Sequence, residues 1–352
     1  VHIIYSNQDL ETWRKQNAKT RQEEKMIRAF FRSKEWFWWA YGIGILLIVL
    51  QYTGIFLALQ LNDWYGNFSD LVQQALQGNV QENSKNSVDN LYSEIYKFFS
   101  IALRQCTVWA TTITLSRFWA TKWREAITVN YIKLGKNKEI EGSGQRIQED
   151  PRKFAEIIEL WGLNLINSSM TLIAFSAILW KLSPGVEIKY LEGMAGSLMW
   201  IALLTSGGGI IISWLVGTKL PDIDYDINIS ENYFRTELVR GEEDKTNYAS
   251  EETLIALFKT VKRNYYHQAL HLFYFEFWRS IYAKFMLVLT FIVMGPGIFR
   301  GLITLGVWAK VTDSFAQIHQ SIWLFIDDWE TLTKIRSIWW RMQELEEQLG
   351  NK

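Results

Sequence analysis

Six stretches of this chain are almost wholly apolar, and the charged residues fall between them. The first, Trp36 to Leu61, and the fourth, Gly193 to Val216, are each long enough as helices to cross a hydrocarbon core of about 30 Å, which takes about 20 residues. The second, Phe98 to Trp119, carries Arg104 and Gln105 within it, and such groups are tolerated at membrane depth only when they face protein or a water-filled cavity. The third, Leu163 to Leu182, leads into the fourth through KLSPGVEIKYLE. Pro184 and Gly185 in that run predict the tight turn of an antiparallel helical hairpin. The fifth runs from Tyr282 and ends at Gly295, Pro296 and Gly297. The sixth, Leu302 to Phe325, is interrupted by Lys310, Asp313, Gln317 and His319. Its apolar residues (Leu302, Leu305, Val311, Phe315, Ile318, Ile322, Phe325) recur at mostly helical spacing, which predicts one dry face and one face lining a polar cavity. The expected fold is an all-α integral membrane protein of about six transmembrane helices. They occupy residues 36–335, after a basic N-terminal segment (1–35) and before a C-terminal helix (336–352).

The connections give an orientation. Short loops rich in Lys and Arg stay in the cytoplasm. The N-terminal flank is basic from Arg14 to Lys34, and the connections after the second and fourth spans carry Arg117, Lys122, Arg124, Lys133, Lys219, Arg235, Arg240 and Lys259. The segment Asn62 to Asn90, with NDWYGNFSDLVQQAL, contains one basic residue, Lys85, and reads as extracytoplasmic. Both termini are therefore expected in the cytoplasm, with long helical extensions over about 117–162 and 217–280. Residues 1–35 lack the apolar stretch of a cleavable signal, so the first span is expected to act as its own insertion signal. Short outer hairpins and long cytoplasmic helices are the layout of ABC-exporter membrane domains, a likeness of fold that does not establish function.

Composition sharpens the picture. The mean hydropathy is near zero, because the apolar 49% of the 352 residues is segregated into the spans. Many of the 18 tryptophans lie at span ends, among them Trp36, Trp38, Trp39, Trp64, Trp119, Trp123 and Trp180, where indoles meet the lipid–water boundary. Basic and acidic residues number 37 each, so the global positive field of a nucleic-acid binder is missing. The single cysteine, Cys106, rules out an internal disulfide and reads as a packing residue.

Candidate chemistry rests on carboxylates. In QRIQEDPRKFAEIIEL, Glu149 and Glu156 are seven apart and share a helix face, with Glu159 adjoining Glu156. In SENYFRTELVRGEED, Glu231 and Glu242 fall close to one face, with Arg235 between them. Carboxylates beside a membrane cavity can carry protons, because desolvation favours the neutral form. The competing reading is a solvated helix face paired with nearby Lys and Arg. His267 and His271 are four apart, but no Glu lies between them as in a zinc HExxH motif, and packing is the better reading. Asp222, Asp224 and Asp226 mimic the start of a calcium loop, yet Ile227 stands where Gly is required and Tyr233 where the bidentate Glu belongs. Arg104, Lys310, Asp313 and His319 are candidate cavity-lining residues, with His319 either a proton group or a hydrogen bonder. No metal cluster or cofactor motif is present, and the G-x-x-x-x-G-K-[ST] phosphate loop of an ATPase is missing. Energy must come from a separate ATPase subunit or from an ion gradient.

At these residues a family comes into view. The stretch GSGQRIQEDPRKFAEIIELWGLNLINSSMTLIAFSAIL, together with VGTKLPDIDYDINISENYFRTELVRGEED and GLITLG, resembles the SbmA/BacA-like peptide transporters of bacterial inner membranes. NDWYGNFSDLVQQAL and WETLTKIRSIWWRMQELEEQL also fit, so the likeness spans nearly the whole chain. The resemblance implies a homodimer with an ABC-exporter-like membrane part and no nucleotide-binding domain, importing peptides, peptide antibiotics or other bulky solutes with protons. Its partners would be a second copy, the peptide, protons and membrane lipid, without a cofactor. By the same resemblance the proton-coupling positions are Glu159 in IIELWG, Glu231 in SENYF, Glu242 in GEED and Glu149 in QED. Longer members carry a further membrane helix ahead of the region that begins here. Glu276, in YFEFWRS, departs from the family pattern, and either adds a proton site or pairs with Arg279, which the three-residue spacing favours. The alternative reading is the membrane subunit of an ABC system served by a separate ATPase.

Overall fold

The computed structural model describes residues 28–77, 84–135, 143–185, 194–244, 248–327 and 329–350. Among them all long elements are helices: α1 (Trp38–Leu76), whose first turn, Trp38–Ile43, is a wider π-helix, α2 (Ser84–Gly135), α3 (Ser143–Leu182), α4 (Ser197–Gly217), α5 (Leu220–Glu243), α6 (Glu251–Phe299), α7 (Leu305–Asp327) and α8 (Trp329–Gly350). Four helical stretches are long and apolar enough to cross a membrane: Trp38–Leu76, Arg146–Leu182, Ser197–Glu242 and Glu251–Phe299. The second and sixth expected spans lie on α2 and α7, which are long enough but too polar to stand among them. Most of the basic N-terminal segment, 1–27, lies outside the described residues, as does part of the expected hairpin turn, 186–193.

The chain divides into two compact units, residues 1–179 with 304–352, and residues 180–303. In the first, α1 packs against α2 and α7. The helix expected to end at Leu61 instead continues to Leu76, through the first half of the polar segment read as extracytoplasmic. The cause is a polar seam: Asn62, Gly66, Asp70 and Gln73 recur at helical spacing and face α7. Asn62 Nδ2 donates to Asp313 Oδ2 at 2.7 Å and to the Lys310 carbonyl at 3.0 Å. Lys310 Nζ pairs with Asp63 at 2.8 Å. Asp70 Oδ1 and Gln73 Oε1 accept from the backbone N–H groups of Gly306 and Leu305, each at 2.7 Å, and so cap the first turn of α7 with side chains from another helix. The helices meet backbone to backbone at Gly306, where an added Cβ would collide with the Gly66 carbonyl and the Asp70 carboxyl group.

Away from this seam, the core of the first unit is aromatic. Phe30, Trp123, Ile127, Tyr131, Phe154, Ile338, Met342 and Leu345 are buried together, with Trp119 and Phe31 packed against them. Phe30 stacks on Trp123 at 5.9 Å and meets Trp119 edge-on at 5.7 Å. Trp123 is thus a core residue rather than an interfacial anchor, because it lies where α2, α3 and α8 converge. Two polar links thread the cluster: Tyr131 Oη donates to Glu346 Oε1 at 3.2 Å, and Arg341 binds the buried Asp150 at 2.9 Å. Burial, and then the neighbouring Glu346 carboxylate, push the Tyr131 phenol pKa far above its ordinary range. The C-terminal helix, expected from residue 336, begins at Trp329 and contributes a wall of this core.

In the second unit, Trp180 lies over Gly196, whose φ of 72° is the left-handed conformation that glycine adopts without strain. Ser183 Oγ accepts from the Leu198 N–H at 3.2 Å, tying the start of α4 to the turn before it. One face of α4 is small and buried, with Ala202, Ser206, Gly209 and Ser213 at spacings of three and four. Against it lies α6: Tyr282 Oη donates to the Thr205 carbonyl at 2.7 Å, its ring fills the space a side chain at Gly209 would need, and Trp278 Nε1 donates to Ser213 Oγ at 2.9 Å. Small residues admit close helix approach where no hydrophobic driving force separates helix from lipid. The α5–α6 pair is joined by Gln268 with Asp224, Asn264 with Ser230 at 3.2 Å, and Tyr265 with Glu231 at 3.2 Å. Ser250 caps α6, its Oγ accepting from Thr253 N–H at 3.2 Å.

Candidate functional site

Between α1, α2, α3 and α7 the first unit encloses a cavity of about 430 Å³. Its wall is rich in side-chain amides and hydroxyls: Gln51 from α1, Gln105 and Ser116 from α2, Asn164, Asn167 and Thr171 from α3, and Gln317 from α7. The α3 group recurs at spacings of three and four, which places it on one face of the helix. Thr171 Oγ1 donates to Asn167 Oδ1 at 3.3 Å, so these groups are already oriented by each other.

Glu159 stands on this wall and is only 4% exposed. Its Oε2 lies 3.6 Å from Arg117 Nη1 and accepts no hydrogen bond from the described residues. Arg117 lines the same cavity while remaining largely exposed. Glu159 also borders an apolar groove between α1 and α3. Among the described residues this long ion pair is what holds the buried carboxylate, which stands between an amide-lined cavity and an apolar groove.

The other carboxylates sit differently. Glu149 pairs with Lys153 one turn on at 2.7 Å, and Glu156 with Arg152 at 3.2 Å, both partly exposed on the surface of α3. In the second unit, Glu231 accepts from Tyr265 Oη, and this bond, more than the carboxylate's charge, raises the Tyr265 phenol pKa. Glu242 is exposed on the last turn of α5. Two of the four carboxylates therefore belong to each unit, and Glu159 is the buried one.

The candidate cavity residues also separate. Arg104 lines a smaller recess of about 280 Å³ with Gln60, Asp63, Glu94 and Lys97, and donates to its own helix at the Ser100 carbonyl, 3.0 Å away. Lys310 and Asp313 are engaged in the seam with α1. His319 is half-buried, its ring 5.1 Å from that of Trp323. Cys106, expected to pack inside, is exposed, because it lies on a face of α2 turned away from α1. His267 and His271 meet edge to face at 4.7 Å, Asp222, Asp224 and Asp226 lie within helix α5, and no group of three or more metal-ligating side chains is assembled among the described residues. Glu276 pairs with Arg279 at 3.7 Å. The residues that sequence reasoning passed over are Gln51, Asn164 and Asn167. Their signal was the recurrence of amides inside apolar runs.

Comparison with known proteins decides the family. The model of the SbmA/BacA-like family matches residues 33–350, nearly the whole chain. The chain belongs to the SbmA/BacA-like family. Its apolar helices and that membership make it a membrane-embedded protein. Among curated proteins, the SbmA/BacA-like chain is 22% identical to the inner membrane ABC transporter ATP-binding protein YddA of Escherichia coli (strain K12), over 85% of this chain and 56% of that protein. It is 25% identical to ABC transporter D family member 2, chloroplastic, of Arabidopsis thaliana, over 67% of this chain and 33% of that protein. The chain thus spans about half the length of the first relative and a third of the second.

Proposed function

We propose that the protein is a proton-driven importer of peptides or similarly bulky solutes, acting as a homodimer in a bacterial inner membrane with both termini cytoplasmic. The observation that carries this reading is Glu159, buried in the wall of an amide-lined cavity with Arg117, at 3.6 Å, its one ionic partner among the described residues. Amides both donate and accept, so such a wall suits a peptide backbone without favouring one sequence. In the proposed cycle a proton arriving at Glu159 cancels its attraction to Arg117, the guanidinium turns to solvent or substrate, and loss of the proton restores the pair. Glu231 and Glu242, and then Glu149, are the next candidates for the proton path, on the family resemblance.

The α2 and α7 helices complete six spans in this reading, their polar residues facing α1, the cavity and a second copy. The dimer is supported by α6. Along its first half Phe258, Tyr265, Tyr266, Leu270, Phe273, Tyr274 and Phe277 are all exposed, spread over about half of the helix circumference, while Asn264 and Gln268 on the other side bind α5. A broad exposed aromatic face is normally covered, and a second copy of the same chain is the simplest cover.

A second reading is favoured by the relatives: both are named as ABC transporters and both are longer than this chain. In it the chain is a membrane subunit that depends on a separate ATPase. Uptake of a labelled peptide into ATP-free proteoliposomes under an imposed pH gradient separates the two. Gradient-driven uptake that Glu159→Gln abolishes, in protein that remains folded, supports proton coupling. Uptake only with ATP and a second subunit overturns it.

A further inference from the structure

The start of α1 carries a feature that the transport reading does not use. A recess of about 280 Å³ is lined by Phe31, Arg32, Ser33, Lys34, Phe37 and Trp38. Beside it, a groove of about 320 Å³ runs between α1 and α3, lined by Tyr41, Gly44, Ile45 and Ile48 on one side and by Gly162, Leu163 and Ile166 on the other. Phe31 lines both. Phe37, Tyr41 and Ile45 follow each other at four-residue spacing, with the two rings 5.1 Å apart, so the apolar strip is continuous from recess to groove. The groove exists because two residues lack side chains: a Cβ on Gly162 would meet nothing within 4 Å, and one on Gly44 would just reach Trp119.

Charge defines the occupant. Arg32 and Lys34 are exposed, and among the described residues neither forms an ion pair. The adjacent Lys122 is already held, 5.6 Å and 5.4 Å from the rings of Trp36 and Trp39 and paired with Glu125 at 2.8 Å. Tryptophans on a membrane-crossing helix mark the headgroup zone. Two uncommitted cations at that depth, at the mouth of a dry groove, match a molecule with an anionic head and an apolar tail.

We propose that this corner binds one anionic phospholipid, its phosphate held by Arg32, Lys34 and the Ser33 hydroxyl and one acyl chain lying in the Gly44–Gly162 groove. A zwitterionic lipid offers the same phosphate but also a cation that Arg32 and Lys34 repel. Glu159 lines the inner end of the groove, so a seated chain keeps one side of its carboxylate dry. The site requires only that α1 cross the membrane, and stands whether transport is driven by protons or by ATP.

The test is native mass spectrometry of the full chain released from micelles holding equal amounts of phosphatidylglycerol and phosphatidylcholine with identical acyl chains. Each basic residue near the surface favours anionic lipid by an amount that makes a roughly thirtyfold preference for phosphatidylglycerol the expected result for two. The double variant Arg32→Gln/Lys34→Gln should retain both lipids equally. Gly162→Leu, which fills the groove, should lower retention of both, and Lys97→Gln, in the other recess, should change nothing. Melting temperatures taken alongside separate lost binding from lost folding. No preference in the wild type, or a preference that survives the double substitution, overturns the proposal. So does inorganic phosphate retained by the delipidated protein at the same two cations, which would make this a free-anion site.

Discussion

Gly306→Ala tests how far α7 is built onto α1. A methyl group there would fall well inside 3.0 Å of the Gly66 carbonyl oxygen and of the Asp70 carboxyl group. That is about 1 Å short of an ordinary carbon–oxygen approach. The obstacle is main chain, so the helices must separate. Separation costs about 1–3 kcal/mol as overpacking. It also lengthens the 2.7 Å bonds by which Asp70 and Gln73 cap Gly306 and Leu305, worth about 1 kcal/mol more. The expected destabilisation is about 2–4 kcal/mol. Gly66→Ala provides the contrast, because the atoms nearest its methyl all belong to the Lys310 side chain, which can swing aside at the expense of its partly exposed pair with Asp63. That change should cost less than about 1 kcal/mol. Reversible unfolding in mixed micelles, by titrated denaturing detergent and a helix signal, measures both. Equal costs in the two variants, or a Gly306→Ala cost below about 1 kcal/mol, would refute the backbone contact.

Three further outcomes follow from the packing. The raised Tyr131 pKa means that the folded state holds the phenol proton more tightly than the unfolded state. The stabilisation is therefore full below pH about 10 and is lost as pH rises above it, by up to about 1.4 kcal/mol per pH unit; Tyr131→Phe should remove that alkaline slope. Gly209→Ala should lower the melting temperature by displacing the Tyr282 ring, and by more than Tyr282→Phe, which loses only the bond to Thr205, about 1 kcal/mol. Arg341→Gln leaves the Asp150 carboxylate buried without its cation and should cost about 2 kcal/mol, with Asp150→Asn in the same chain recovering part of the loss; a cost near zero would count against the link.

How much of this could be read from the chain varied with the kind of signal. Long apolar runs are unambiguous, and four of the expected spans correspond to helices of the length that crosses a membrane, Trp38–Leu76, Arg146–Leu182, Ser197–Glu242 and Glu251–Phe299. Boundaries failed where polarity was taken for exposure. Asn62 to Leu76 was left out of the first helix because its polar residues were counted rather than placed at their spacing, and the partner they face, α7, lies more than two hundred residues away. Trp123 looked interfacial for the same reason: its neighbours Phe30, Phe154 and Met342 come from three distant segments. For the candidate site, Glu159 stood out as one of several carboxylates at similar spacings. What distinguishes it, its burial beside Arg117 and the amides of α1, α2 and α3, is a property of tertiary packing.

One feature of α2 bears on what passes beside it. Thr107, Thr111, Thr114 and Thr121, exposed along one face, each donate to the carbonyl four residues earlier at 2.7–2.9 Å. Hydroxyls bonded back to their own helix make no demand on their surroundings. Such a face loses little when water beside it is exchanged for an acyl chain or for a passing solute, and gains little when it is wetted again. It neither holds a guest nor resists one, and a helix that meets different neighbours at different moments of a cycle gains most from a surface so indifferent to its company.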